Sequence, residues 1–283
     1  MSAEPLLGGA LADVFRLEGR VAVITGGAGF LGRQHAEAIA EMGGHPVIVD
    51  LRHDLAESIA AKLSADFGVR GLGLAADITD EKQVAAFADR VMDEFGRVDI
   101  LVNNAANDPK PGGEPDAEWS RFESFPLDVW RRDLDVALTG AMLCSRSLGP
   151  RMAALGKGVI LNIASDLALI GPDQRIYRNP GVPEDAQPVK PVSYSVAKAG
   201  LLGLTRYLAT YWATAGVRVN SISPGGIYND QDSVFVRRLA ELIPLSRMAY
   251  PGEYKAAVVF LVSDASSYMT GANLVIDGGR TAW

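Results

Sequence analysis

Short runs of aliphatic and β-branched residues alternate along the chain with longer segments in which apolar residues recur every three or four positions. The short runs, such as Val-Ala-Val-Ile-Thr, are typical of strands buried on both faces of a parallel sheet. The longer segments have the period of amphipathic helices. The pattern predicts strands at Val21–Thr25, Pro46–Asp50, Gly71–Ala76, Ile100–Asn103, Val159–Ala164, Val217–Ser221 and Leu274–Ile276. It predicts helices near Leu31–Met42, Leu55–Phe67, Glu81–Phe95, Leu127–Ala154, Tyr194–Ala215 and Glu253–Ser263.

This regular alternation of strands and helices indicates a doubly wound α/β domain. We expect a sheet of about seven mainly parallel strands with helices on both faces. Three segments interrupt the alternation. Residues 1–16 precede the first predicted strand and are expected to form an N-terminal arm. The segments near 107–125 and 171–191 contain several prolines, which forbid long helices, and are expected as insertions in a single domain spanning 17–283.

Composition and charge argue against several kinds of partner. The 283 residues carry a formal net charge of −7 without a basic tract, so nucleic acid is not an expected partner. No run approaches the roughly 18 apolar residues of a membrane span, so no membrane partner is expected. The single cysteine, Cys144, and an N-terminal segment unlike a signal peptide indicate a cytoplasmic location. The three histidines are scattered, so no metal site is expected.

A glycine-rich turn, Gly26-Gly-Ala-Gly29-Phe-Leu-Gly32, follows the first predicted strand and opens a helix. Gly26 and Gly29 would let a pyrophosphate approach the backbone, and Gly32 would let the helix pack closely on the strand. An acid, Asp50, ends the second strand 18 residues after Gly32 and can bind the ribose hydroxyls of a dinucleotide. This context indicates a dinucleotide-binding Rossmann fold. Because a carboxylate repels a 2′-phosphate, NAD is favoured over NADP, although the nearby Arg52 complicates the choice.

Tyr194 and Lys198 stand four residues apart, about one helical turn, so both side chains lie on one helix face. Opposite charges about 4 Å apart interact by about 4 kcal/mol at an effective dielectric constant of about 20. An interaction of that size would bring the pKa of a tyrosine from about 10 towards neutrality. Such a tyrosine can act as a general acid or base.

Taken together, the motifs resemble the short-chain dehydrogenase/reductase family, and their order and spacing span about residues 17–280. Besides the glycine turn they are Asp77-Ile78, Asn103-Asn104-Ala105-Ala106, Ser165, Tyr194-Ser-Val-Ala-Lys198, Arg218-Val-Asn220, Ser223-Pro-Gly-Gly226, Thr270-Gly271 and Asp277-Gly-Gly. The resemblance implies an oxidoreductase that transfers a hydride between NAD(H) and a CH–OH or C=O group. It also implies a homodimer or homotetramer.

The resemblance assigns roles to individual residues. Tyr194 would be the acid/base, Lys198 would lower its pKa and bind the nicotinamide ribose, and Ser165 would stabilise the substrate oxygen. With the glycine turn and Asp50, the candidate cofactor residues are Gly26, Gly29, Phe30, Leu31, Gly32, Asp50, Leu51, Asp77, Ile78, Asn103, Ala105, Tyr194, Lys198, Pro224, Gly225, Ile227 and Asn229.

Two departures from the family pattern keep alternatives open. Ala137 stands where the family has an asparagine that helps to hold a proton-relay water, so a catalytically weakened, NAD-binding regulatory protein is one alternative. Phe30 replaces the middle glycine, and the resulting spacing is closer to sugar epimerases and dehydratases that retain NAD, which is the other. Those relatives carry a substantial C-terminal substrate domain, whereas this sequence ends soon after Asp277-Gly-Gly, so a single-domain dehydrogenase remains the expectation.

The substrate is predicted to be small and polar. Ser165 and Tyr194 are 29 residues apart, so Gly171–Pro191 reads as an insertion beside the catalytic pocket. This insertion and Ser223–Ala249 are rich in polar side chains, which suits a sugar, a polyol or a sugar acid. The candidate substrate residues are Asp166, Arg175, Arg178 and Gly226. Arg175 or Arg178 would bind an anionic substituent, with solvated loop arginines as the alternative.

Overall fold

The computed structural model describes residues 10–107 and 117–283, so much of the predicted arm and of the first predicted insertion lies outside the described part. Seven strands form one sheet in the order β3-β2-β1-β4-β5-β6-β7, and every pair is parallel. They are β1 Val21–Thr25, β2 His45–Asp50, β3 Leu72–Ala75, β4 Ile100–Asn103, β5 Gly158–Ile163, β6 Val217–Pro224 and β7 Asn273–Ile276. The predicted seven-stranded doubly wound fold is confirmed.

Helices cover both faces of the sheet. They are α1 Phe30–Glu41, α2 His53–Phe67, α3 Glu81–Phe95, α4 Leu127–Leu134, α5 Gly140–Ala154, α6 Val192–Tyr211, α7 Ser233–Ala240 and α8 Lys255–Val262. The single helix predicted over Leu127–Ala154 is divided by a π-helical turn, Asp135–Thr139. The short helix α7 was not predicted; the Asp232 side chain caps it by accepting from the Val234 and Phe235 amides.

The sheet separates two apolar cores because successive side chains of a strand point to opposite faces. In β1, Val23 belongs to the core that contains Leu148 of α5, whereas Ile24 belongs to the core that contains Ile39 of α1. All four of these side chains are fully buried. This explains why Val21 to Ile24 of β1 are apolar at successive rather than alternate positions.

The structure describes the whole insertion 171–191 but only part of the predicted N-terminal arm. Of the predicted arm, Leu11–Phe15 form a 3-10 turn. Leu17, the first residue of the predicted domain, is buried, and its amide donates to the Met42 carbonyl. The insertion 171–191 contains 3-10 turns at Gln174–Tyr177 and Glu184–Ala186. No helix among residues 10–107 and 117–283 is both long and apolar enough to cross a membrane.

Gly149 in α5 provides a test of this packing. A Cβ at Gly149 would lie 2.2 Å from the buried Trp212 ring, so Gly149→Ala is expected to destabilise the fold by about 1–3 kcal/mol through overpacking. Gly203→Ala in α6 is the control, since a Cβ there meets no atom within 4 Å and alanine gains up to about 1 kcal/mol of helix propensity. Urea unfolding measures both variants; equal stability of the two would contradict this packing.

Candidate active site

A cavity of about 580 Å³ opens at the carboxyl ends of the strands. The strand order reverses between β1 and β4, and in doubly wound sheets the ligand crevice lies at such a reversal. The cavity is bordered by the turn after β1, by residues that follow β4, β5 and β6, and by α6 and the insertion 171–191. The topology therefore brings distant motifs of the sequence to one place.

The glycine turn forms one wall of this cavity. Gly26 has a φ of +59°, and a Cβ there would lie 2.9 Å from the Ala105 Cα. A Cβ at Gly32 would lie 2.3 Å from the Gly26 carbonyl oxygen, so this glycine lets α1 begin directly against the turn. The Asn104 side chain fixes the turn by donating to the Gly26 carbonyl over 3.1 Å. The result is half-buried glycine backbone that borders the cavity at a helix N-terminus, which fits the pyrophosphate of a dinucleotide.

Asp50 lies at the far end of the same cavity. Its side chain is 10% exposed, and its Oδ2 accepts from the Ala28 amide over 3.2 Å. Its Oδ1 accepts from the Arg52 Nε, also over 3.2 Å. The carboxylate is thus held in place at the cavity wall, where it can accept hydrogen bonds from ribose hydroxyls. Leu51 and Asp77 border the cavity beside it.

The three predicted catalytic side chains border the other end. Ser165 follows β5, and Tyr194 and Lys198 lie in the first two turns of α6. The Lys198 Nζ is 5.8 Å from the centre of the Tyr194 ring and donates to the Ile163 carbonyl over 2.6 Å. The start of α6 is anchored by Ser193, whose hydroxyl donates to the buried Asp133 of α4 over 2.5 Å. A phenol, a hydroxyl and an ammonium group therefore share one cavity.

Comparison with known proteins decides the family. The family model described as short chain dehydrogenase matches residues 20–177, more than half of the chain, and the model described as enoyl-(acyl carrier protein) reductase matches residues 184–281. The chain belongs to the short-chain dehydrogenase/reductase family. The predicted family is confirmed, and with it the prediction of a dehydrogenase or reductase that acts on CH–OH groups.

Relatives of this dehydrogenase are similar over nearly their whole length. It is 39% identical to the D-threitol dehydrogenase of Mycolicibacterium smegmatis, over 94% of this chain and 95% of that one. It is 38% identical to the cis-4-hydroxycyclohexanecarboxylate dehydrogenase of Sinomonas cyclohexanicum, over 93% and 97% of the two chains. The structure of a gluconate 5-dehydrogenase from Burkholderia cenocepacia with NADP and tartrate superposes with a TM-score of 0.84 at 28% identity, covering 97% and 100%.

The cavity of this dehydrogenase brings together most of the predicted site residues. Fifteen of the seventeen predicted cofactor residues border it, as do two predicted substrate residues, Asp166 and Gly226. Gly32 does not, since it packs α1 onto the turn. Asn103 does not either: its amide nitrogen donates to Asn162 over 2.8 Å and to Ser145 over 3.2 Å, behind the cavity. The neighbouring Asn104 borders the cavity instead.

Two arginines predicted to bind an anionic substituent lie outside the residues that border the cavity. Arg175 donates from Nη2 to Asp173 over 2.5 Å and is 76% exposed, and its hydrogen bond lowers the pKa of Asp173. Arg178 pairs with Glu184 in the same segment. Each guanidinium is thus satisfied by a carboxylate of the insertion itself, and neither is part of the substrate site proposed below.

Several residues that border the cavity were not among the predicted site residues. Tyr177 and Lys190 belong to the insertion, which was already predicted to lie beside the pocket. The Lys190 Nζ lies 3.8 Å from the centre of the Tyr194 ring, where it makes a cation–π contact. Arg280 also borders the cavity; it follows the Asp277-Gly-Gly motif, but no local pattern connects it with Ser165.

The departure at position 137 lies within the π-helical turn. Ala137 is buried, 4% exposed, and brings no polar side chain to Lys198. Lys198 is nevertheless held by the Ile163 carbonyl, so its position does not depend on an asparagine in that turn. Its ammonium group lies 5.8 Å from the centre of the Tyr194 ring, where a positive charge stabilises a phenolate.

Proposed function

We propose that this chain is an NAD-dependent dehydrogenase of a sugar, a polyol or a sugar acid. The observation that carries the proposal is the single cavity with Asp50 at one end and Ser165, Tyr194 and Lys198 at the other. The glycine turn follows β1, which lies between β2 and β5 in the sheet, and it fits the pyrophosphate of a bound dinucleotide. The names of the relatives, which act on threitol, a hydroxy acid and gluconate, support the substrate class.

In the proposed mechanism the protein handles the proton and the charge at oxygen. NAD held by the glycine turn and Asp50 would supply the hydride acceptor for oxidation of the carbinol carbon, and NADH the hydride donor for the reverse reaction. Tyr194 takes the hydroxyl proton as a general base in oxidation and gives it back as a general acid in reduction. Lys198, buried beside the phenol, stabilises its anion. Ser165 binds the substrate oxygen and stabilises the charge that develops there.

The experiment that tests this function is a turnover assay. Purified protein is incubated with NAD and a panel of threitol, xylitol, glycerol and gluconate, with simple aliphatic alcohols as apolar controls. We expect NADH absorbance to appear with at least one polyol or sugar acid, and more slowly with the controls. Binding of NAD without NADH formation on the whole panel would contradict the proposal and favour the regulatory protein.

Two observations bear on the two alternative functions, a weakened regulatory protein and an epimerase or dehydratase. Ala137 favours a weakened, cofactor-binding protein, but the shared cavity of Ser165, Tyr194 and Lys198 favours turnover. The glycine spacing favours an epimerase or dehydratase that retains NAD. That alternative predicts product without net NADH and a cofactor that stays bound on purification, which the same assay and the absorbance of the purified protein measure.

The cofactor preference and the assembly are also proposals. Asp50 supports NAD over NADP; the gluconate 5-dehydrogenase was solved with NADP, so the family alone leaves this choice open. We propose a homodimer or homotetramer, supported by the exposed Tyr207 and Tyr211 on α6 and the exposed Trp283, and checked by light scattering.

A cytoplasmic location is supported by the single cysteine, Cys144. Burial raises the pKa of its thiol to about 12. A fluorescent fusion would test the location.

A further inference from the structure

The residue after the catalytic serine is a buried aspartate that pairs with an arginine from the far end of the chain. Asp166 begins a 3-10 turn after β5, and Arg280 begins the C-terminal turn Arg280–Ala282. The Arg280 Nη1 donates to the Asp166 Oδ2 over 2.8 Å. The two side chains are only 7% and 4% exposed, yet both residues border the cavity. A charged pair is therefore built into the wall beside Ser165.

The second carboxylate oxygen connects this pair to the catalytic serine. The Ser165 hydroxyl donates to the Asp166 Oδ1 over 2.9 Å, and the Leu167 amide donates to the same oxygen over 2.8 Å. Ser165, Asp166 and Arg280 thus form one chain of hydrogen bonds. A substrate oxygen bound at Ser165 lies next to this chain, so the adjacent part of the substrate faces Asp166 and Arg280.

The energetics favour recognition as the role of this pair. Moving two charges out of water often costs as much free energy as their mutual attraction contributes. A buried ion pair is therefore a weak stabiliser of a fold. A well-packed apolar pair would serve stability equally well. Charged groups retained at the wall of the substrate cavity instead suit a ligand that hydrogen-bonds to both of them.

We propose that Asp166 and Arg280 form a subsite for a hydroxyl group on the carbon next to the reacting carbinol, so that vicinal diols are the preferred substrates. A carboxylate only accepts hydrogen bonds and a guanidinium only donates them, whereas a hydroxyl group does both. Gauche vicinal oxygens stand about as far apart as hydrogen-bonded oxygens, roughly 2.5–3.0 Å. That spacing matches the 2.9 Å between the Ser165 and Asp166 oxygens. This proposal rests on the proposed function.

The subsite also explains how Ser165 is released for catalysis. In the structure the serine hydroxyl donates to Asp166. The neighbouring hydroxyl of a diol takes over that role by donating to Asp166 and accepting from Arg280. The Ser165 hydroxyl is then available to the carbinol oxygen. A mono-alcohol cannot make this exchange and must compete with Asp166 for the serine.

The test compares two substrates that differ by one hydroxyl group, trans-1,2-cyclohexanediol and cyclohexanol, each with NAD. A site built for a hydroxyl strongly rejects an analogue that lacks it; here Asp166 and Arg280 still satisfy each other, so we expect kcat/KM to favour the diol by about 10²-fold. In the double variant Asp166→Leu/Arg280→Met this preference is expected to fall to within a few-fold of unity. The variant Arg280→Lys retains the charge but not the planar set of donors, and it is expected to lose most of the preference for the diol.

The matched control is another ion pair, Arg20 with Asp264 (Nη2 to Oδ2 2.5 Å), which does not border the cavity. The variant Arg20→Met/Asp264→Leu removes the same two charges and is expected to keep the diol preference. An unchanged preference in both Asp166→Leu/Arg280→Met and Arg280→Lys overturns the subsite. An equal loss for diol and mono-alcohol also overturns it, because that result assigns the pair to positioning Ser165 alone.

Failure of the proposed function is distinguishable from failure of the subsite. If the unmodified protein oxidises neither alcohol, binding is measured by thermal shift with NADH present, since a ligand that binds only the folded protein stabilises it by RT ln(1 + [L]/Kd). The diol is then expected to stabilise the protein at a concentration at least about tenfold lower than cyclohexanol does. Equal stabilisation by the two compounds, or a diol preference that survives in Arg280→Lys, overturns the subsite on its own.

Discussion

Replacing Tyr194 with phenylalanine is expected to lower kcat for polyol oxidation by about 10²–10⁴-fold, the usual contribution of a general acid or base. The phenylalanine ring keeps the shape of the cavity wall but cannot exchange a proton. Cofactor binding is expected to change little, because phenylalanine keeps the ring of Tyr194 and the glycine turn and Asp50 are unchanged. Steady-state kinetics measure the first effect, and titration of NADH fluorescence measures the second.

The matched control is Tyr207→Phe, which removes a phenol oxygen from the same helix at a position that is 64% exposed. It is expected to keep kcat within about twofold of the unmodified enzyme. The pH profile provides a further check. Oxidation requires the phenolate and should rise with pH, whereas reduction requires the phenol and should fall. A Tyr194→Phe variant that retains near-normal kcat would show that another group moves the proton.

The strands and the family motifs could be predicted because their signals are local. In β1 every residue is buried, so its first four residues, Val21 to Ile24, form an apolar run that is visible in the sequence. The glycine turn could be predicted because the spacing of its glycines after a strand is itself a local pattern, although the turn also packs against Ile48 of β2 and Ala105 after β4. Helix α7 was missed because it has only eight residues and lies in a segment with many polar side chains.

The less predictable parts of the site depend on the direction in which side chains point and on contacts between residues far apart in the sequence. Asn103 and Asn104 are adjacent in one motif, but successive side chains at a strand end point to opposite sides, and only Asn104 borders the cavity. Arg175 was a candidate for binding an anionic substituent, with a solvated loop arginine as the alternative, and in the fold it pairs with an acid two residues away. Arg280 meets Asp166 across 114 residues of sequence, a contact that only the folded sheet creates.

Replacing Asp50 with serine is expected to lower the ratio of kcat/KM with NAD to kcat/KM with NADP by about 10²–10³-fold. A carboxylate about 4 Å from a 2′-phosphate repels it by about 4 kcal/mol at an effective dielectric constant of about 20. Since 1.4 kcal/mol corresponds to a factor of ten, that repulsion alone approaches 10³-fold. Loss of the hydrogen bonds from Asp50 to the ribose hydroxyls weakens NAD at the same time. Steady-state kinetics with both cofactors and one polyol measure the ratio.

The size of the change depends on Arg52, which now donates to Asp50 and is 60% exposed. In Asp50→Ser its guanidinium is released and can pair with the 2′-phosphate. The double variant Asp50→Ser/Arg52→Ala should therefore lose much of the gain with NADP while still binding NAD poorly. Asp54→Ser is the control, since this acid is fully exposed at the start of α2 and does not border the cavity. If Asp50→Ser left this ratio unchanged, residues other than Asp50 would determine the cofactor preference. A 2′-phosphate bound beside residue 50 must respond to the removal of a negative charge there.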